Sequence, residues 1–569
     1  MELVPIEIVH RRNGTLFRMR SAARTFPVVD LFSGPGGLAE GFSEFTSQSG
    51  LGYRIALSVE KDKSAYRTLL LRAFLRKFEN GFPSEYYEFL NGCGTEEPDW
   101  ATLYPSHWKA ACDETKCLAL GASSAREVIN ERIARIRDQH EGRSVLLGGP
   151  PCQAYSVIGR SRNAGNSKYK PEKDGRHLLY REYARVLKDL QPVAAIMENV
   201  RGMLSAKRNG VPIFPEVMRS LRCAGGIDSY RLFALTPAQC SGPWVEGARP
   251  EDYLVRAEEH GVPQARHRVI IVCLRRDVAD LLSEDHLPRL EGASATVTVR
   301  EVIGAMPMLR SRLSRCDDTS EWLKAMRAAC ELIDANPPEM SASEQTRFQG
   351  ALNRALETAG RSEVPFRDVG GNTALPETLC SDLRDWIYDD RIEKLPNNET
   401  RGHLPSDLAR YLFSAAFAEA FGRSPRTFEF PEALIADHKN WDTGKFADRF
   451  RVQLWDRPSC TVTSHISKDG HYFIHPDSSQ CRSLTVREAA RLQTFPDNYF
   501  FHGPRTQQYV QVGNAVPPFL AYQIAGVLSD VLERHDRRES RRDDRNSALS
   551  GQRSVAEPDQ LELAAVATA

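Results

Sequence analysis

The sequence predicts an α/β protein built on a doubly wound sheet, interrupted by a smaller inserted domain. Three observations carry this reading. Apolar runs of strand length alternate with helical patterns through the first 275 residues, and these runs stop at glycine- or proline-rich turns. The alternation then disappears between about 275 and 450.

The elements follow in order. Residues 27–32 form a short apolar strand, 33–37 a glycine turn, and Leu38, Phe42 and Phe45 recur at helical spacing before a second strand at 53–59. This is an opening βαβ unit. Residues 64–140 read as mostly helical and longer than a crossover needs, hence an insertion within a first domain spanning 1–275. The strand 145–147 runs into Gly148-Gly149-Pro150-Pro151-Cys152. After a helix near 177–190, the strand 193–197 runs into Glu198-Asn199-Val200, and 269–272 is the last strand of this part. Helices are predicted at 321–335, 341–359 and 406–422 inside the inserted domain, 276–455. A strand–turn–strand is expected over 459–475 around Asp469-Gly470, then helices at 485–493 and 518–532, in a C-terminal return (456–533) to the first domain. Residues 534–569 are charged, poor in apolar side chains, and expected to be a disordered tail.

Composition excludes more than it selects. The 569 residues are 41% hydrophobic and 26% charged, ordinary for a globular chain. Lys plus Arg and Asp plus Glu are 75 each, so a basic cleft, if present, is offset elsewhere. The first thirty residues lack a signal-peptide core and no run of about 18 apolar residues occurs, so no membrane partner and a cytoplasmic location are expected. The twelve cysteines are scattered, without paired spacing for zinc, so no metal site is expected.

Four clusters carry chemistry. Glycines after the first strand let backbone approach a ligand, and Glu60 at the end of the second strand suits ribose hydroxyls. The spacing Gly34-x-Gly36-Gly37 departs from the dinucleotide pattern, and taken alone it fits either a nucleoside-type cofactor or a plain strand–helix turn of an α/β protein. An isolated cysteine is most often buried and inert, but Cys152 follows two prolines at a strand end, where a rigid loop can present a thiolate. Glu198 ends the neighbouring strand, so a nucleophile and an acid share one sheet edge. Arg266 and Arg268 alternate and are expected to face one way.

These motifs resemble, in order, those of the C5 cytosine-specific DNA methyltransferase family. They are residues 30–37, Pro150-Pro151-Cys152-Gln153, Glu198-Asn199-Val200, Gln264-x-Arg266-x-Arg268, the stretch 487–496, and Gly513-Asn514-Ala515-Val516-Pro517. The resemblance implies a Rossmann-like fold with a mixed sheet, S-adenosylmethionine as methyl donor, duplex DNA as partner, and the inserted domain as target recognition domain. It implies Cys152 as the nucleophile on C6, Glu198 at N3, and Arg268 supported by Arg266 at the base oxygen. Phe32, Gly34, Gly36, Gly37, Glu60, Asn514 and Val516 would line the cofactor pocket. Gln153, Ser156, Arg160, Arg162, Lys168 and Arg176 would touch DNA. The family's adenine-contacting acid has no counterpart near 118–121.

A stacked cytosine hides its C5 and C6, so the base must flip out. Residues 155–176 look like the closing loop, with six basic residues between Arg160 and Arg176 against Glu172 and Asp174. In the inserted domain, His438-Lys439-Asn440-Trp441 with Lys445, Arg449 and Arg451 is a second candidate DNA surface. A nucleoid-associated monomer in a bacterial restriction or phage-defence system is the expected setting, with any nuclease on another chain.

Overall fold

The computed structural model describes residues 24–92, 96–151, 179–208, 210–236, 249–282, 289–361, 364–371, 374–436, 441 and 448–553. Its centre is β1 (Arg24–Leu31), buried from Phe26 onward. β1 pairs in parallel with β2 (Leu51–Glu60) on one side and with β4 (Val145–Gly148) on the other. β3 (Thr115–Cys117) extends the first side and β5 (Ala194–Val200) the second, both in parallel. After a short ribbon of β6 (Lys207–Arg208) and β7 (Val211–Pro212) come β8 (Tyr230–Phe233), β9 (Leu254–Arg256), β10 (Gln264–Ala265) and β11 (His267–Arg275). β11 runs antiparallel to β5, β8 and β9, giving a mixed sheet of order β3-β2-β1-β4-β5-β11-β8. The order reverses between β1 and β4, and such switch points open a crevice at the strands' carboxyl ends.

Alternation along the strands divides the core into two layers. Val28, Ile55, Leu147, Ile196 and Ile270 face one side, and Val29, Leu57, Leu146, Met197 and Ile271 the other. The first layer is covered by α1 (Gly37–Glu44) and by Leu520, Ile524, Leu528 and Leu532 of the C-terminal helix. The Arg505–Arg537 stretch is long and apolar enough to cross a membrane by composition, but 72% of its apolar window is buried, as in a core helix.

The helices of 64–140 do not stand alone. Phe74 of α2 (Lys63–Leu75), Tyr86 and Trp100 share a core with Val299, Ile387, Leu484 and Phe495, which belong to the inserted domain's flanks and to the C-terminal return. The inserted domain's own core, with Trp322, Phe348, Leu412 and Phe413, runs from Leu313 to Cys481, past the sequence border at 455.

Three local expectations change. β3 lies inside the predicted helical stretch; at three residues it is too short to show a period. Over 459–475 there is no hairpin. β12 (Arg312–Leu313) and β13 (Gly402–His403) pair with each other in the inserted domain, and within 459–475 the one strand is β14 (Ser459–Cys460), paired in parallel with β10, while Ser464–Ser467 and His471–Phe473 are 3₁₀ turns. Glutamine side chains take the donors a ladder would use: Gln453 Oε1 accepts from Cys460 N at 2.9 Å and Gln264 Oε1 from Val462 N at 2.9 Å. Of the tail predicted as disordered, residues 534–553 continue the last helix, Pro518–Arg553, and 554–569 lie outside the described residues. The helix is anchored because His535 and Asp536 are buried, with Arg143 Nη2 donating to Asp536 at 2.7 Å.

Two glycines on one face of α1 touch the C-terminal return through backbone alone. A Cβ on Gly37 would lie 2.3 Å from the Val516 carbonyl oxygen, and one on Gly41 2.4 Å from that of Pro518. Gly37→Ala is therefore expected to cost about 3 kcal/mol, read as a lowered denaturation midpoint with unchanged slope.

Candidate active site

The crevice has a cofactor end and a target end. At the cofactor end the chain leaves β1 through Phe32 at φ +56° and Gly34 at φ +57°. The left-handed bend at Phe32 costs about 1–2 kcal/mol for a residue with a side chain. Ser33 Oγ donates to the Asp30 carbonyl at 2.9 Å, and Ser33 N to the Val59 carbonyl at 3.1 Å. Glu60 fixes the turn from the next strand: Oε2 accepts from Gly34 N, and Oε1 from Lys61 N and Asp62 N, each at 2.8 Å. A carboxylate has about four acceptor positions, so Glu60 keeps capacity for a ribose hydroxyl. A Cβ at Gly34 would meet nothing within 4 Å, which leaves the turn open to a ligand. Opposite, Asn514 is exposed at the end of the helix Arg505–Asn514 and Val516 is buried beside Gly37. After β3, residues 117–122 contain no carboxylate.

Asp30, inside the glycine-turn motif but not singled out by the sequence reading, is the unusual group here. It is fully buried and neither carboxylate oxygen has a hydrogen-bond partner among the described residues. Burial pushes its pKa up to about 7, against the opposing pull of Ser33 and Arg76. An unpaired buried acceptor is costly, and protonation of the carboxyl relieves that cost. The open turn and the remaining acceptor capacity of Glu60 suit the hydroxyls of a nucleoside cofactor.

At the target end, Glu198 and Asn199 grip the loop that follows β4. A Cβ at Gly149 would fall 2.8 Å from Glu198 Oε2, so only glycine allows the carboxylate this close. Asn199 Nδ2 donates to the Pro150 carbonyl at 3.1 Å. In the β5–β11 register Ile270 faces Glu198 and Arg268 faces Val200, which puts Arg268 on the diagonal to Glu198. Arg268 Nε sits 3.0 Å from Glu198 Oε1. Burial raises the Glu198 pKa, with the charges of Arg268 and Arg266 pulling it down.

Arg266 does not share that position. Its guanidinium is 1% exposed and donates to the carbonyls of Val462, Gly513 and Ala515. The chain passes from β10 to β11 at this residue, so the strict alternation assumed from sequence does not hold. Cys152, Gln153, Ser156, Arg160, Arg162, Lys168 and Arg176, with the whole 155–176 loop, lie outside the described residues, as do His438, Lys439, Asn440 and Lys445. Trp441 packs in the inserted domain's core, 8% exposed.

A glycine turn after β1, an acid after β2, and a carboxylate–guanidinium pair between β5 and β11 fit a nucleoside-cofactor enzyme of the α/β class. Residues 122–530 match the C-5 cytosine-specific DNA methylase family, and the chain belongs to that family. Its methyl donor is S-adenosylmethionine. The chain is 32% identical over 524 residues to the type II methyltransferase M.Bpa9945I of Bacillus paralicheniformis, covering 89% of this chain and 99% of that one. It is 25% identical to the DNA (cytosine-5-)-methyltransferase M.ApeKI of Aeropyrum pernix, again over 89% and 99% of the two chains. With the type II methyltransferase M.AgeI of Thalassovita gelatinovora it shares 24% over 79% and 96%.

Asp30 yields a test with a defined sign. Its folded pKa of about 7 lies above the ordinary 3.8, so the unfolded chain ionises first and stability falls as pH rises between those values. Asp30→Asn removes that loss, worth up to about 4 kcal/mol. Without cofactor, the variant should melt higher than the parent at pH 8, and the gap should close toward pH 4. A variant that melts lower at pH 8 would contradict the orphaned carboxylate.

Proposed function

We propose that this chain methylates C5 of a cytosine flipped out of duplex DNA, with Cys152 as the attacking nucleophile. The Glu198–Arg268 pair, set against Gly149 three residues before Cys152, carries the reading. C5 of an aromatic cytosine is a weak nucleophile. Addition of the Cys152 sulfur to C6 breaks that aromaticity, and the ring's negative charge gathers toward N3 and O2. Glu198, its proton favoured by burial, donates to N3, while Arg268 holds Glu198 and lies toward O2. The bound sulfonium supplies the methyl group. Once C5 carries it, loss of the C5 proton to a base restores the double bond, the C6–S bond breaks to release Cys152 as thiolate, and the N3 proton returns to Glu198.

The inserted domain supports DNA as substrate. A groove of about 600 Å³ separates it from β10 and β14, with Arg423, Arg426, Arg451 and Arg457 on its walls and Ala265 and Cys460 on its floor. Arg423 pairs with Glu429 and Arg451 with Asp448, while Arg457 is 3.5 Å from Asp456, so the groove is only mildly positive. Ala265 is next to Arg266 and three residues from Arg268, so a strand in the groove leads to the base site. A bacterial restriction–modification or phage-defence setting fits the type II names of two of these relatives. We place the chain at the nucleoid, acting as a monomer, with any nuclease a separate protein.

Bisulfite sequencing of DNA from cells expressing the chain tests the reaction and reports its sequence context. Cys152→Ser should abolish methylation, and a duplex with 5-fluorocytosine, which has no C5 proton to lose, should trap the parent covalently but not this variant. Methylation surviving in Cys152→Ser would refute the nucleophile. Glu198→Gln should lower kcat about 10²–10⁴-fold with little change in KM for DNA. Replacing Arg426 and Arg457 together by Ala should flatten the slope of log affinity against log salt by about 2 units, equally for all DNA sequences.

A further inference from the structure

Two stretches distant in sequence meet on the guanidinium of Arg266. Nη1 donates to the Val462 carbonyl at 2.8 Å, and Nη2 to Gly513 at 3.1 Å and to Ala515 at 2.7 Å. The last two carbonyls flank Asn514, which is exposed and which the proposed function puts at the cofactor. Gln493 Nε2 reinforces one of them, donating to Ala515 at 2.5 Å, while Gln493 Oε1 accepts from Gln264 Nε2 at 2.5 Å. On the other side of Arg266, after a single residue, Arg268 holds Glu198 at the base side. The bend 513–516 has no strand or helix hydrogen bonding of its own beyond the end of its helix, so these side chains fix where it stands.

We infer that Arg266 is a positioning residue, which locks the cofactor wall around Asn514 in fixed register with the Glu198–Arg268 pair. This rests on the proposed function and assigns Arg266 a different role from contact with the base. A guanidinium presents five donors in a rigid plane and so spans carbonyls of two separate segments at once. An ammonium is a point donor on a flexible stem and cannot. Loss of the fork frees the 513–516 bend to drift from β11, and cofactor affinity falls before the fold does.

The test is Arg266→Lys in the full chain, which keeps the charge and removes the fork. The control is Arg482→Lys. Arg482 is equally buried and also holds backbone carbonyls, those of Leu309 and Ser483, with Glu488 as ion partner. Calorimetric titration of S-adenosylmethionine without DNA gives Kd, melting gives Tm, and steady-state assays give kcat and KM for each substrate. Arg266→Lys should raise the S-adenosylmethionine Kd about tenfold or more and leave KM for DNA within about threefold. Arg482→Lys should lower Tm by a similar amount with Kd within about twofold. If Arg266→Lys does not fold, Gln493→Leu removes the second donor on Ala515 and should raise Kd several-fold. An unchanged Kd in the folded variant, or an equal loss in the control, overturns the inference and makes Arg266 ordinary glue. Failure of the parent to methylate DNA would instead strike the proposed function, because the cofactor titration does not depend on it.

Discussion

The active site depends on a contact that contains no side chain: α1 lies with Gly37 and Gly41 directly on the backbone of Val516 and Pro518. That closeness brings a segment from the end of the catalytic chain against the first turn at its beginning. Without it, the segment from Ala515 to Pro518 would not lie against the helix that follows the glycine turn. Gly513 repeats the device on the far side, where a Cβ would fall 2.3 Å from the Thr463 carbonyl carbon and the Ser464 nitrogen. Packing this tight tolerates no added methyl group where the obstacle is backbone.

Buried arginines do the rest of the assembly. Arg487 donates to the carbonyls of Pro396, Pro496 and Tyr499; Arg482 pairs with Glu488, and Arg491 with Asp497. Tyr499 returns to the glycine turn, its hydroxyl donating to the Pro35 carbonyl at 2.5 Å. These contacts tie the C-terminal return to a region poor in regular hydrogen bonding. A guanidinium suits the task because one side chain pairs several loop carbonyls that would otherwise be buried and unsatisfied. They also account for part of the neutral charge total: several arginines are structural, and their acidic partners are internal.

The fold's centre was legible because parallel strands covered on both faces read as apolar runs, and their ends are marked by glycine and proline. The motif order located Glu198, Arg268 and the turn at Gly34–Gly37, and the structure puts the first two in contact. β3 was not legible, since three residues carry no period. The hairpin over 459–475 failed for a different cause: side-chain amides of Gln264 and Gln453 replaced the backbone partners, and nothing local announces that. The helix after residue 533 persisted because His535 and Asp536 found burial against the first domain, which composition alone does not reveal.

The amino-acid sequence by itself determined which residue types stand at the carboxyl ends of which strands, because strand period and turn chemistry are local. It thereby set the family and the chemistry the crevice can perform. Tertiary structure alone decided which of two alternating arginines meets Glu198 and which turns inward onto the carbonyls of two distant segments. The reason is that a guanidinium goes where unpaired carbonyls converge, and the carbonyls of Val462, Gly513 and Ala515 converge only after some two hundred residues of intervening chain have folded back.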